Sequence, residues 1–278
     1  MAEPINKTYP PVLRTAGWHQ TDTGLLWVPP SYQARFDANA ARVTQREGIQ
    51  INRYELHNRS GGSASVGIGF RLANRHWIAG RLSANGATYT DVTSTAQSTS
   101  TTTLQVAGAD QTGFVLGCRV PFDWASVNIT TAETDAGGAT VPDHAVQYSD
   151  SAGTDWTALG ANAATTDGFT QTNTVWAAAV TDFVWHKPAD WGAWTGGTLP
   201  NGYYYLRFTS AQREASDVAA VATGMEIGIL LSIEALADNG VWEVEQAEFY
   251  HFKADGLVAY FSTANAGNRV YAEVEARG

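Results

Sequence analysis

From Ile49 onward the chain alternates. Ser65–Leu72 (SVGIGFRL) sets Val66, Ile68, Phe70 and Leu72 against small or polar neighbours, and the same period of two recurs at Val127/Ile129 and through Val270, Ala272, Val274 and Ala276. Side chains of a strand point alternately to opposite faces, so this pattern predicts strands with one buried face. Further strands are predicted over Ile49–Asn58, His76–Leu82, Ala87–Thr93, Thr112–Phe122, Ala145–Asp150, Phe183–His186, Gly202–Ser210, Val241–Phe252 and Gly256–Ser262. Turn signals separate them: Ser60-Gly61-Gly62, Asn85-Gly86, Gly137-Gly138, Asp167-Gly168, Gly196-Gly197, Asn201-Gly202 and Asn239-Gly240. Many short strands without intervening helices predict an all-β fold, a sandwich or a barrel, and the fold expected is a β-sandwich of jelly-roll or immunoglobulin-like type.

Four stretches break the pattern. Met1–Pro30 holds Pro4, Pro10, Pro11, Pro29 and Pro30 and no sustained period. Proline fixes φ and removes a donor, which predicts an extended arm. The arm is too apolar for a solvated tail, so it should lie on its own body or on a neighbour; Leu13, Trp18, Leu25, Trp27 and Val28 are its candidate docking residues. In Ser31–Arg46, Phe36, Ala40 and Val43 stand at helical spacing behind Ser31 as a cap, which suggests a short helix. Ala211–Thr223 has the composition of a second short helix or a crossing loop, and Thr93–Thr103 (TSTAQSTSTTT) reads as a flexible loop or irregular edge strand. The organisation expected is an arm over residues 1–47 and a sandwich body over 48–278, with a split into two sub-domains near 125–145 left open.

Composition sharpens this picture in a few places. With 278 residues, 44% hydrophobic and 16% charged, the chain has the profile of an ordinary globular protein large enough for a sizeable core. A net charge of −10 with scattered arginines disfavours nucleic acid as a partner, because neutralising phosphates takes clustered Lys and Arg. Cys118 is the single cysteine, so no intrachain disulfide can form, and its place in the apolar run Phe114–Val120 predicts a buried, inert thiol. Met1-Ala2-Glu3-Pro4 lacks the basic start of a secretory leader. Met225–Ile233, the most apolar segment, is too short to span a bilayer and contains Glu226, so no membrane insertion is expected.

Candidate chemistry is sparse. The six histidines, His19, His57, His76, His144, His186 and His251, show neither helical zinc spacing nor a finger pattern. There is no Gly-x-Ser-x-Gly elbow, Walker loop or dinucleotide fingerprint, and Gly67-x-Gly69 sits inside a strand pattern; no cofactor, metal or catalytic set is expected. Asp150/Asp155 and Glu243/Glu245 are the carboxylate pairs from which a glycosidase would have to be built. Glu243 and Glu245 alternate with Trp242 and Val244, however, and so read as the wet face of a strand. Asp150–Asp155 reads as a hairpin tip in preference to a calcium loop. Trp191 and Trp194 lie between Pro188/Asp190 and Gly196-Gly197, followed by Tyr203-Tyr204-Tyr205. Rings in such a loop have less core to fill than Trp185, and amphipathic rings suit sugar stacking, so Trp191, Trp194 and Tyr204 are candidate glycan contacts. The alternative is that these rings also fill core.

The stretch from Ala145 to Phe208 adds a resemblance. It reads VQYSDSAGTDWTAL, then TDGF, FVWHKPADW and GYYYLRF. It resembles β-sandwich domains of tailed-phage virion proteins at Tyr148, Trp156, Leu159, Asp167, Gly168, Trp185, Pro188, Asp190, Trp191, Gly202, Tyr203, Tyr205 and Arg207, with weaker similarity at Tyr89-Thr90-Asp91 and Gly113–Phe122. The tip Ser149–Asp155 is longer than the pattern has it. The resemblance implies a module of head decorations, head spikes or tail fibres, including those of gene-transfer particles. The expectation is a non-enzymatic head spike or decoration protein, made in a bacterial cytoplasm, docked on the capsid by its arm and displaying the sandwich from the virion surface toward host polysaccharide. Its partners would be other virion proteins, in a homo-oligomer or a mixed assembly. A trimeric tail fibre or baseplate subunit and a glycan-cleaving depolymerase are the alternatives.

Overall fold

The computed structural model describes residues 12–20, 26–27, 49–72, 74–83, 86–98, 104–105, 111–131, 146–159, 180–209, 221–247, 254–263, 265 and 267–277. In chain order the strands are β1 (Val12–Gln20), β2 (Leu26–Trp27), β3 (Ile49–His57), β4 (Ala64–Leu72), β5 (Trp77–Ser83) and β6 (Tyr89–Asp91). They continue with β7 (Leu104–Gln105), β8 (Gln111–Cys118), β9 (Trp124–Thr131), β10 (Val146–Ser149), β11 (Trp156–Ala158) and β12 (Val180–Val184). The last five are β13 (Tyr204–Thr209), β14 (Val221–Leu236), β15 (Val241–Ala247), β16 (Ala254–Phe261) and β17 (Arg269–Arg277). A 3-10 turn covers Asn74–His76, and one short helix, α1, covers Thr93–Ala96. The all-β fold predicted from alternation is what the chain adopts. Chain reversals fall at the predicted turns, with the backbone left-handed at Gly202 (φ 82°) and Asn239 (φ 62°); Gly137-Gly138 and Asp167-Gly168 lie outside the described residues.

The chain divides into two compact units, at boundaries other than the one left open near 125–145. One joins Met1–Ala73 to Leu230–Gly278; the other is the continuous segment Asn74–Ile229. β14 runs through the second division.

In the discontinuous unit, a four-stranded antiparallel sheet has the order β1-β17-β3-β15. β1 pairs with β17 from Val12 opposite Arg277 to Gln20 opposite Arg269. β16 lies between β4 and β2, with Trp27 opposite Leu257. Over these residues the expected arm is strand, paired into its own unit. Val12–Gln20 contains no proline, so every N–H is free for a ladder, and the arm lies on its own body. Leu13 and Trp18 belong to β1 and Trp27 to β2, while Leu25, Val28 and the helix expected over Ser31–Arg46 lie outside the described residues.

The continuous unit is a sandwich. Its larger sheet has the order β11-β10-β13-β8-β5-β6, and β9 lies between β12 and β14 in the second. Register places Trp77 and Ala79 of β5, Phe114, Leu116 and Cys118 of β8, Leu206 and Phe208 of β13 and Tyr148 of β10 on one face of the larger sheet. All of these are buried. Phe183 of β12 meets Phe208 with ring centroids 5.2 Å apart, which joins the two sheets across the core. Cys118 is fully buried as expected, and burial pushes its thiol up to about 12.

Two local expectations are corrected. Val221–Thr223 begins β14 instead of ending a helix; residues 211–220 lie outside the described residues. Ala222, Met225, Ile227, Gly228, Ile229 and Leu230 are all buried, so the strand carries no clean alternation to announce it. In the Thr/Ser-rich stretch, Thr93–Ala96 is helical. Thr93 N–H donates to Asp91 Oδ1 at 2.8 Å, Gln97 N–H to the Thr93 carbonyl at 2.9 Å, and Ala96 is fully buried.

Because Asn74–Ile229 is one stretch of chain with its own core, it should fold when expressed alone. The expected result is cooperative denaturant unfolding and dispersed amide resonances. A fragment with gradual unfolding and collapsed resonances would refute its autonomy.

Candidate functional site

The described residues among those singled out between Tyr148 and Arg207 lie at one end of the larger sheet and on its outer face; Asp167 and Gly168 lie outside the described residues. At the end, the indole of Trp191 sits 5.2 Å from Phe122, 6.2 Å from Tyr148 and 6.3 Å from Tyr204. Its Nε1–H donates to Ser149 Oγ at 3.1 Å and to the Tyr205 carbonyl at 3.2 Å. Ser149, itself fully buried, accepts a second bond from Tyr205 N–H at 3.2 Å and donates to the Gly192 carbonyl at 2.6 Å. Tyr148 donates its hydroxyl proton to Asp190 Oδ1 at 2.9 Å; burial first, and then that carboxylate, push the phenol up.

The long hairpin tip is clamped to the Trp191–Thr195 loop by backbone contact. Thr195 N–H donates to the Gly153 carbonyl at 2.7 Å, and Gly192 N–H to the Ser149 carbonyl at 3.3 Å. A Cβ on Gly153 would lie 2.0 Å from the Ala193 carbonyl oxygen, and one on Gly192 would lie 2.2 Å from that of Asp150. Both glycines are there because the two backbones touch. Asp150 Oδ1 accepts from Thr154 N–H at 2.8 Å and Asp155 N–H at 3.0 Å, and donation from Asp155 and then Thr154 holds this carboxyl below its ordinary value. The tip is organised by its own backbone. Among the described residues, no group of three His, Cys, Asp or Glu side chains is placed to hold a metal.

The outer face carries a second, smaller core of Leu82, Val115, Trp194, Leu199 and Tyr205, bordered by Ile78, Tyr89, Trp156 and Tyr203. The Trp194 loop folds back over the sheet: Trp194 N–H donates to the Tyr203 carbonyl at 2.8 Å, and Tyr205 donates its hydroxyl to the Pro200 carbonyl at 2.9 Å. Trp194 and Trp156 pack at 5.2 Å. Beside them opens a pocket of about 200 Å³ whose wall includes Thr154, Asp155, Trp156, Trp194, Leu199 and Arg207. The Arg207 guanidinium lies over the Trp156 ring, 4.5 Å from its centroid. Gln147 Oε1 accepts from its Nε at 2.9 Å and also from Nη2. Burial lowers the Arg207 guanidinium to about 10.

The expected glycan contacts are corrected by this geometry. Trp191 is 7% exposed and Trp194 is 4% exposed, so neither ring presents a face to a ligand, and Tyr204 is half-buried against Trp191. Pro188, Asp190 and Gly196-Gly197 do mark a loop, but that loop packs on the outer face of the sheet and supplies it with a core. Sequence reasoning gave no role to Ser149, Gln147 or Arg207. The signal for Arg207 was its alternation with Tyr205, which puts both on one face of β13. No helix among the described residues is long and apolar enough to cross a membrane. Compared with protein-family models, curated proteins and solved structures, the chain matches none.

Proposed function

We propose that the protein is a non-enzymatic structural component of a phage-like particle, a head spike or decoration. In this reading the unit Asn74–Ile229 faces outward, and its outer-face pocket contacts host surface polysaccharide. One observation supports the reading best: the residues that resemble virion sandwich domains are spent on holding one rigid module together. Trp191 and Tyr205 interlock through Ser149, Tyr148 bonds Asp190, and Arg207 lies on Trp156. A rigid sandwich with a loop packed across it suits display. In this reading the docking residues Leu13, Trp18 and Trp27 act from β1 and β2, so the discontinuous unit is the part that meets the capsid.

The test is composition. Particles purified on a density gradient from the producing cells should contain this protein in a fixed ratio to the major capsid protein, and the ratio should survive a second gradient. Particles free of the protein, with the chain left in the soluble fraction, would overturn the proposal.

A further inference from the structure

Among the described residues, Arg207 makes no ion pair. Its hydrogen-bond acceptor is the neutral amide oxygen of Gln147, which takes protons from Nε and Nη2, while Nη1 has no acceptor among the described residues. Burial disfavours a guanidinium unless it is paired, and a carboxylate is the group whose shape matches its fork. Asp155 is near enough to favour the charged form but makes no ion pair with it; its Oδ1 accepts from Trp156 N–H at 2.8 Å. Asp155 is exposed, and so are Thr154 and Thr198 on the same pocket wall. The pocket therefore offers one half-buried cation and several exposed groups that bond hydroxyls, against apolar walls from Leu82, Leu199 and Trp156.

We infer that this pocket receives a single sugar ring bearing a carboxylate, a uronic acid residue, with the carboxylate on Arg207 and ring hydroxyls on Asp155, Thr154 and Thr198. The inference rests on the reading of the pocket as a polysaccharide contact and names the class of sugar. A phosphate ester fits less well: it carries up to two negative charges, and the site sets one cation close to one carboxylate. A neutral sugar can accept a hydrogen bond from Nη1 but brings no charge to the guanidinium.

The experiment is calorimetric titration of the full chain with trigalacturonic and triglucuronic acid, each beside its carboxyl-reduced neutral counterpart. The acidic trimer of at least one pair is expected to bind, and its neutral counterpart to bind about 30-fold or more weakly, the loss typical when one partner of a buried, hydrogen-bonded charge pair is removed. Arg207→Gln should reduce binding of the acidic trimer to the level of the neutral one, and Arg207→Lys should retain part of it, both compared in variants that still unfold cooperatively. Equal binding of acidic and neutral trimers would overturn the carboxylate while leaving the polysaccharide contact standing. No binding of any trimer would overturn both. Should Arg207→Gln fail to fold, the difference between acidic and neutral trimers on the wild-type chain still decides the matter.

Discussion

Replacing Trp191 with alanine is expected to destabilise the protein by about 3–5 kcal/mol, the range for a buried aromatic truncated in a core. Three rings, Phe122, Tyr148 and Tyr204, lean on this indole, so its removal opens a void among them. The loss is also polar. Without the Nε1–H, Ser149 Oγ and the Tyr205 carbonyl each lose a donor in a buried setting. Trp191→Phe separates the two effects, because it keeps most of the ring and removes only the donor, so its cost should be well under that of alanine. Denaturant unfolding measures the total, and hydrogen exchange of the Val146–Ser149 amides reports it locally. A Trp191→Ala loss below about 1 kcal/mol, the scale of an ordinary surface change, would show that the indole does not close the sandwich.

The second large effect is expected in the other unit. Asn58 is fully buried at the end of β3, and its side chain ties three segments together. Nδ2 donates to the carbonyls of Gly62 and Leu236, both at 2.8 Å, and to that of Ala237 at 3.1 Å. Oδ1 accepts from Ser60 N–H at 3.0 Å and Ser60 Oγ at 2.6 Å. The backbone doubles the tie: Asn58 N–H donates to the Gly240 carbonyl at 3.1 Å, and Asn239 N–H donates to the Asn58 carbonyl at 2.9 Å. Asn58→Ala removes both ends of the amide at once and should cost about 3 kcal/mol or more, since each buried polar group left unpaired costs about 1–3 kcal/mol. Asn58→Asp keeps the shape and Oδ1 but turns the donor into an acceptor facing carbonyls, so it should be no milder at neutral pH. An Asn58→Asp variant as stable as wild type would sink this account.

Strands with one wet face were legible because alternation is a direct image of the pleat, as at Val127–Thr130, where Asn128 and Thr130 are exposed and Val127 and Ile129 buried. β14 was not, because from Ile227 to Leu230 it is buried on both faces and looks there like any apolar run. β1 was hidden by its flanking prolines, which describe the chain before and after it but not the nine residues between. The loop after Pro188 was legible as a loop. Its burial was not, since the contacts that cover it come from a hairpin tip some forty residues upstream in sequence, through Gly153 and Gly192. Of the candidate site, Trp156 and Arg207 stood in the resembling pattern without a function attached. Only the fold puts the guanidinium on the ring and both beside a pocket.

The interruption of one unit by the other has a consequence for the order in which a ribosome can complete them. When Ile229 leaves the exit tunnel, every strand of the sandwich between Asn74 and Ile229 is already made, except that β14 is still growing. β3, by contrast, was synthesised long before and still has neither of its neighbours, β15 and β17. The nascent chain thus carries a strand with two unpaired edges while the later unit folds, and such edges are the usual starting point for wrong pairing. A stop codon placed after Ile229 should accordingly yield an intact sandwich trailing an unfolded, protease-sensitive N-terminal segment.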